Sequence, residues 1–183
     1  GQSTVSPNWP YTHISAGVWH TCGIRADNSL AECWGRNSNG QSTVSTNVPY
    51  MQISAGRYHT CGIREDNSLA ECWGAGKPSD PTNNLPHFGQ STVSPNWPYT
   101  HISAGVWHTC GIRADNSLAE CWGRNSNGQS TVSTNVPYMQ ISAGRYHTCG
   151  IREDNSLAEC WGAGKPSDPT NNLPHFGQST VSP

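Results

Sequence analysis

Apolar residues in this chain come in short bursts broken by turn formers. Between residues 13 and 35, Ile14, Cys22, Ile24, Leu30 and Trp34 fall in short runs separated by Gly or by Asp-Asn-Ser. No stretch keeps the i, i+3, i+4, i+7 spacing that gives a helix an apolar face over three turns. The pattern predicts strands near residues 12–15, 20–25 and 29–34. Asp27-Asn28 marks a hairpin between the second and third, because Asn and Asp tolerate left-handed backbone and hydrogen-bond their own turn.

The pattern recurs. Residues 1–88 reappear unchanged as 89–176, and residues 177–183 (GQSTVSP) restart the unit. Each 88-residue block is itself a duplication, since residues 1–35 and 40–74 agree at 28 of 35 positions. The chain reads A-B-A-B: unit A at 1–39, unit B at 40–88, an A copy at 89–127, a B copy at 128–176, and the start of a further unit at 177–183. Unit B is longer because of its tail, 75–88, which carries Pro78, Pro81 and Pro86; prolines at that density predict a loop. The return of GQSTVSP suits a window cut from a longer array, and the missing initiator Met suits a mature or excised piece.

Units of about forty residues with three short strands predict all-β architecture: tandem three-to-four-stranded propeller-type blades, four in this chain, in an open array or as part of a longer repeat protein. A single blade cannot bury both faces, so its neighbours must supply the core. Composition agrees, with Trp at 8, Gly at 19 and only 12% charged residues. A net charge of −2 without a basic block argues against nucleic acid. No apolar run reaches membrane-spanning length.

The cysteines form four pairs spaced C-x10-C: Cys22 with Cys33, Cys61 with Cys72, Cys110 with Cys121 and Cys149 with Cys160. The Asp27-Asn28 turn lies at the centre of the first spacer, which sets Cys22 opposite Cys33 at a non-hydrogen-bonded position, within disulfide reach. Such staples imply secretion or another oxidising compartment. The competing reading makes His20, Cys22 and Cys33 zinc ligands, but the tight C-x2–4-C spacing of structural sites is absent. Neither a metal nor a cofactor is expected.

His20, His59, His108 and His147 occupy one place in every unit and are expected to be architectural, each ring bonded to a neighbouring backbone carbonyl. His13 and His87 are expected at the surface. Trp34, Trp73, Trp122 and Trp161 are expected to fill the space between blades. Ala16-Gly17 fits an inner strand crowded near an axis, and Arg25 and Glu32 could pair across the hairpin. Trp9, Trp19 and Tyr58 differ between the two unit types; with Phe88 at the end of the insertion, they are the candidate contacts for a partner or a glycan. No catalytic constellation, nucleophile elbow or phosphate loop is present, so the chain is expected not to be an enzyme.

The stretch from Ile14 to Val44 resembles the repeats of the regulator of chromosome condensation family, and especially the shorter bacterial form in the β-lactamase-inhibitor protein type II. Ala16, Gly17, His20, Thr21, Trp34, Gly35, Asn37, Gly40 and Gln41 match the family pattern in register. Unit B departs at Ala75-Gly76-Lys77. The resemblance implies propeller blades, usually seven in a closed ring; cysteine-bearing versions are similar to repeats of extracellular proteins. The resulting expectation is a non-enzymatic, extracellular or cell-surface structural protein, a filament or appendage segment of stacked blades whose partners are copies of itself. The 75–88 loop is expected to make lateral contacts. The alternatives are a secreted binding module, either a lectin or an inhibitor, and a designed consensus propeller.

Overall fold

The computed structural model describes residues 1, 3–4, 9–76, 87–93, 97–164 and 178–180. Among these, the chain forms twelve strands and no helix. The first blade is β1 (Tyr11–Ala16), β2 (His20–Arg25) and β3 (Ala31–Gly35); the second is β4 (Tyr50–Ala55), β5 (His59–Arg64) and β6 (Ala70–Gly74). The third is β7 (Tyr99–Ala104), β8 (His108–Arg113) and β9 (Ala119–Gly123); the fourth is β10 (Tyr138–Ala143), β11 (His147–Arg152) and β12 (Ala158–Gly162). Each blade is an antiparallel sheet whose strands pair in chain order.

Local chemistry fixes the shape of each sheet. Asn28 closes the β2–β3 turn, its Oδ1 accepting the Leu30 N–H at 3.0 Å. The left-handed residue is Ser29, at φ 57°, rather than either member of the Asp-Asn pair. Asn28 serves the turn through its side chain and the next residue takes the unusual backbone. Leu30 lies just outside β3, where it forms a bridge with Pro49 of the following unit. A register shift between Tyr11 and His13 makes a bulge in β1. The Tyr11 ring covers Gly23, where an added methyl would lie 2.7 Å from the ring. Glycine in the middle of β2 is therefore the cost of seating that tyrosine.

The blades stack in series, β2 against β4, β5 against β7 and β8 against β10. Three cores result. Cys22 and Ile24 meet Tyr50, Ile53 and Trp73; Cys61 and Ile63 meet Tyr99 and Ile102; Cys110 and Ile112 meet Tyr138, Ile141 and Trp161. Each core lies between two units, so the middle strand of an internal blade is buried on both faces. The array is open: Ile53, Ile102 and Ile141 are 1–2% exposed, whereas Ile14 of the first blade is 57% exposed.

At the inner edge the first strands converge. The N–H of Val18 donates to the Gly56 carbonyl at 3.2 Å, Arg57 to Gly105 at 3.3 Å and Val106 to Gly144 at 3.2 Å. A methyl on Gly105 would stand 2.5 Å from the Gly144 oxygen, far inside contact distance. The Ala-Gly dipeptide is what lets neighbouring backbones meet.

Candidate interaction surfaces

The hairpin register sets each cysteine directly opposite its partner, Cys22 against Cys33 and so on in every blade. All four pairs, Cys22–Cys33, Cys61–Cys72, Cys110–Cys121 and Cys149–Cys160, are disulfides with Cα atoms 4.1 Å apart. Their sulfurs are therefore not thiolate ligands. Among the described residues no cluster of three His, Cys, Asp or Glu could hold a metal.

The repeated histidines tie one blade to the next, through a hydroxyl rather than a backbone carbonyl. His20 Nε2 lies 2.6 Å from Thr60 Oγ1, His59 Nε2 2.7 Å from Thr109 Oγ1, and His108 Nε2 2.8 Å from Thr148 Oγ1. Each threonine hydroxyl donates its single hydrogen to a glutamine carbonyl, Gln41, Gln90 or Gln129. It can therefore only accept from the histidine, which fixes the Nε2–H tautomer. Nδ1 of these three rings is left bare, buried and without a partner. Burial accordingly pulls His20 down to about 4, His59 to about 3, aided by the neighbouring His108 and His20, and His108 to about 4. The backbone carbonyl bonds belong instead to His13 and His101, whose Nε2 atoms reach the Ile53 and Ile141 oxygens at 3.0 and 3.1 Å. His13 is thus another inter-blade tie.

Two further contacts were invisible in the sequence. Tyr11, Tyr50, Tyr99 and Tyr138 each donate a hydroxyl to Glu32, Glu71, Glu120 or Glu159 at 2.9 Å. Burial, then the carboxylate, raises these phenols, Tyr138 to about 12. The indoles of Trp73, Trp122 and Trp161 donate at 3.0 Å to the same glutamine carbonyls the threonines use. Arg25 reaches Glu32 only at 3.4 Å; its main partner is Asp27, bound through Nε at 2.9 Å and Nη2 at 2.5 Å. That hydrogen bond holds the Asp27 carboxyl below its usual range.

The candidate contact residues divide between two ends of the blades. Trp9 precedes β1 and Trp19 follows it, so a six-residue strand of about 20 Å separates them. Trp9 is 44% exposed, with the Arg25 guanidinium 3.8 Å over its ring, and Trp97 and Arg113 repeat the pair. Trp19 is exposed. Tyr58 is buried against Trp107 at 4.6 Å, and Phe88 meets Trp107 edge-on at 5.7 Å. Arg124 lies 5.2 Å over Phe88. The unit B tail is tied together near its two ends, the Gly76 N–H reaching His87 Nδ1 at 3.3 Å. The rest of the insertion, with Lys77, Asp80 and Leu85, lies outside the described residues. At the inner edge an open hollow of about 290 Å³ is lined by Gly17, Gly56, Arg57, Gly105 and Gly144.

Comparison with known proteins agrees with this architecture. The regulator of chromosome condensation repeat matches residues 11–41 and 99–129, the two A-type blades. No curated protein sequence matches the chain. Among solved structures, the ectodomain of the Physcomitrella patens receptor kinase CR4 is 33% identical, with a TM-score of 0.70 over 87% of this chain and 40% of that one. The CRINKLY WD40 ectodomain of the Arabidopsis thaliana receptor kinase ACR4 is 27% identical, with a TM-score of 0.66 over 84% of this chain and 50% of that one. Prp20p from Saccharomyces cerevisiae shares the fold at 18% identity and a TM-score of 0.68, over 88% of this chain and 47% of that one. The chain spans half or less of each of these proteins.

Proposed function

We propose, on the premise that the chain is a tandem array of regulator of chromosome condensation repeats, that it is a non-enzymatic extracellular structural protein, a segment of a filament or cell-surface appendage. One observation carries the reading: the residues repeated in every unit are spent on joining blades. Histidine bonds to threonine of the next unit and the glycine backbones meet across the inner edge; within each unit a glutamine carbonyl holds that threonine and the tryptophan, and the cysteines pin the hairpins from which those links are made. Chemistry repeated identically at each joint suits an array that bears load better than a single reaction centre. The disulfides, together with the likeness to two receptor ectodomains, support a place outside the cell. In this reading the 75–88 insertion, displayed once per 88 residues, serves lateral contact between arrays.

Antibody labelling of the native protein, combined with a free-thiol count, tests the proposal. The expected result is fully oxidised protein in fibrous material at the cell surface. Reduced protein in the cytosol or nucleus would overturn it. A second reading, a secreted binding module, draws on the Tyr58–Trp107–Phe88 stack with Arg124 beside it, an aromatic and cationic patch of the kind that anchors partners. A glycan array probed with oxidised protein separates the two, since the structural reading expects no ligand.

A further inference from the structure

We propose that the hollow at the inner edge is a binding site for a small organic acid, whose carboxylate is taken by Arg57 while its apolar body lies between Val18 and Val106. The inference goes beyond both readings above and stands apart from them, since such an acid is neither another blade nor a glycan.

Most of the arginines are engaged. Arg25, Arg64, Arg113 and Arg152 each hold the aspartate two residues on, and Arg36 and Arg124 donate through Nε to Ser38 and Ser126. Arg57, which has a blade on each side, holds neither kind of partner. Its Nε is buried with no acceptor, and among the described residues no carboxylate lies within ion-pair distance of its guanidinium. A buried donor left bare is costly, and few such groups persist without a partner. The side chain is nevertheless held in place. The guanidinium lies 4.8 Å over the Tyr58 ring, and the Arg57 backbone N–H donates to the Gly105 carbonyl at 3.3 Å.

Among the described residues Arg57 is also the one charged side chain lining the inner-edge hollow of about 290 Å³. The backbone donors around it are already bonded. Those of Gly17, Gly56 and Gly105 go to the carbonyls of His20, His59 and His108, and those of Val18 and Val106 to the carbonyls of Gly56 and Gly144. A ligand therefore meets a single open donor group, the guanidinium, set among Ala16, Ala55, Ala104 and the two valines. Arginine stands at this position in B units and valine in A units, so the alternation places the cation between two apolar neighbours. An inorganic anion would leave the alanine and valine walls bare, and a neutral molecule would leave the charge unanswered. A carboxylate answers it best, because the guanidinium fork can donate two parallel hydrogen bonds to its oxygens. The volume lies at the small end for ligand sites and suits a single-ring or short-chain acid.

Isothermal titration calorimetry of the oxidised chain with sodium benzoate tests the site, with benzamide and sulfate run beside it at matched ionic strength. Benzoate is expected to bind saturably. Benzamide, which lacks the charge, and sulfate, which lacks the apolar body, are each expected to bind at least ~10-fold more weakly. Arg57→Gln is expected to weaken benzoate at least ~10-fold. Val18→Glu sets a carboxylate beside the guanidinium from within the chain and is expected to do the same, which keeps the test decisive should Arg57→Gln fail to fold. Arg124→Gln removes an equal charge from outside the hollow and is expected to leave binding unchanged; circular dichroism checks that each variant is folded. Benzoate that does not saturate overturns the site, as does benzamide or sulfate that binds as tightly. A folded Arg57→Gln that keeps its affinity, or an Arg124→Gln that loses as much, overturns it too. None of these results touches the extracellular reading, which stands or falls on its own labelling experiment.

Discussion

Thr109→Val isolates the hydroxyl that joins the second and third blades. Thr109 is fully buried; it donates to the Gln90 carbonyl at 2.9 Å and accepts from His59 Nε2 at 2.7 Å. Valine keeps the size and removes both bonds. The Gln90 carbonyl still receives the Trp122 indole N–H at 3.0 Å, so it stays satisfied. The His59 Nε2–H is left buried without an acceptor, which costs about 1–3 kcal/mol. A loss of about 2 kcal/mol is expected, read in urea as a lower midpoint with an unchanged slope. Thr109→Ser keeps the hydroxyl and is expected to lose about 1 kcal/mol for the missing methyl. A cycle with His59→Phe is expected to give a coupling of about 1 kcal/mol or more, because phenylalanine has no N–H to strand. A Thr109→Val protein as stable as wild type, or strictly additive effects in the cycle, would refute the inter-blade bond.

Three further outcomes are expected. Replacing Cys110 and Cys121 together by Ser opens a short hairpin loop and should cost about 3 kcal/mol in thermal or urea unfolding under oxidising conditions. Gly105→Ala drives a methyl against the Gly144 carbonyl oxygen, so it should cost about 2 kcal/mol or more and increase protease cleavage between blades three and four; unchanged stability would contradict the close approach. Acid should weaken the fold below neutral pH. The buried histidines titrate at about 3 to 4 when folded, below their ordinary 6.5, so the unfolded chain binds more protons. Their contribution is full above pH 6.5 and declines as pH falls toward 4, by up to about 3 kcal/mol for each ring. A stability that is flat between pH 7 and 4 would show the rings to be charged or exposed.

What the sequence disclosed was the chemistry inside one hairpin. Asp27-Asn28 at the centre of an even spacer sets the β2–β3 register, and the period of the repeat sets the blade count. Contacts between repeats were much less legible. His20 could be recognised as architectural from its recurrence, but its partner Thr60 lies one unit away, and nothing in the spacing separates a hydroxyl from a carbonyl. The bulge beside Tyr11 and the glycine beneath its ring leave no periodic trace, because a bulge breaks the very alternation used to find strands. Among the candidate contact residues, exposure was the missing quantity. Tyr58 and Trp19 share one repeat position, yet Tyr58 is covered by Trp107 while Trp19 of the first blade is exposed.

The claim at the centre of this account is that the cores lie between blades. Urea unfolding of the whole chain beside a single-blade fragment, residues 40–76, and a two-blade fragment, residues 9–76, all oxidised, tests it most directly. The single blade has its disulfide but only half of each core, so it is expected to show no cooperative transition. The two-blade fragment contains one complete core and should unfold cooperatively, with a midpoint and slope that rise again in the full chain as further joints are added. A single blade that unfolds cooperatively at the midpoint of the whole chain would show that each unit carries its own core, and the account would be wrong.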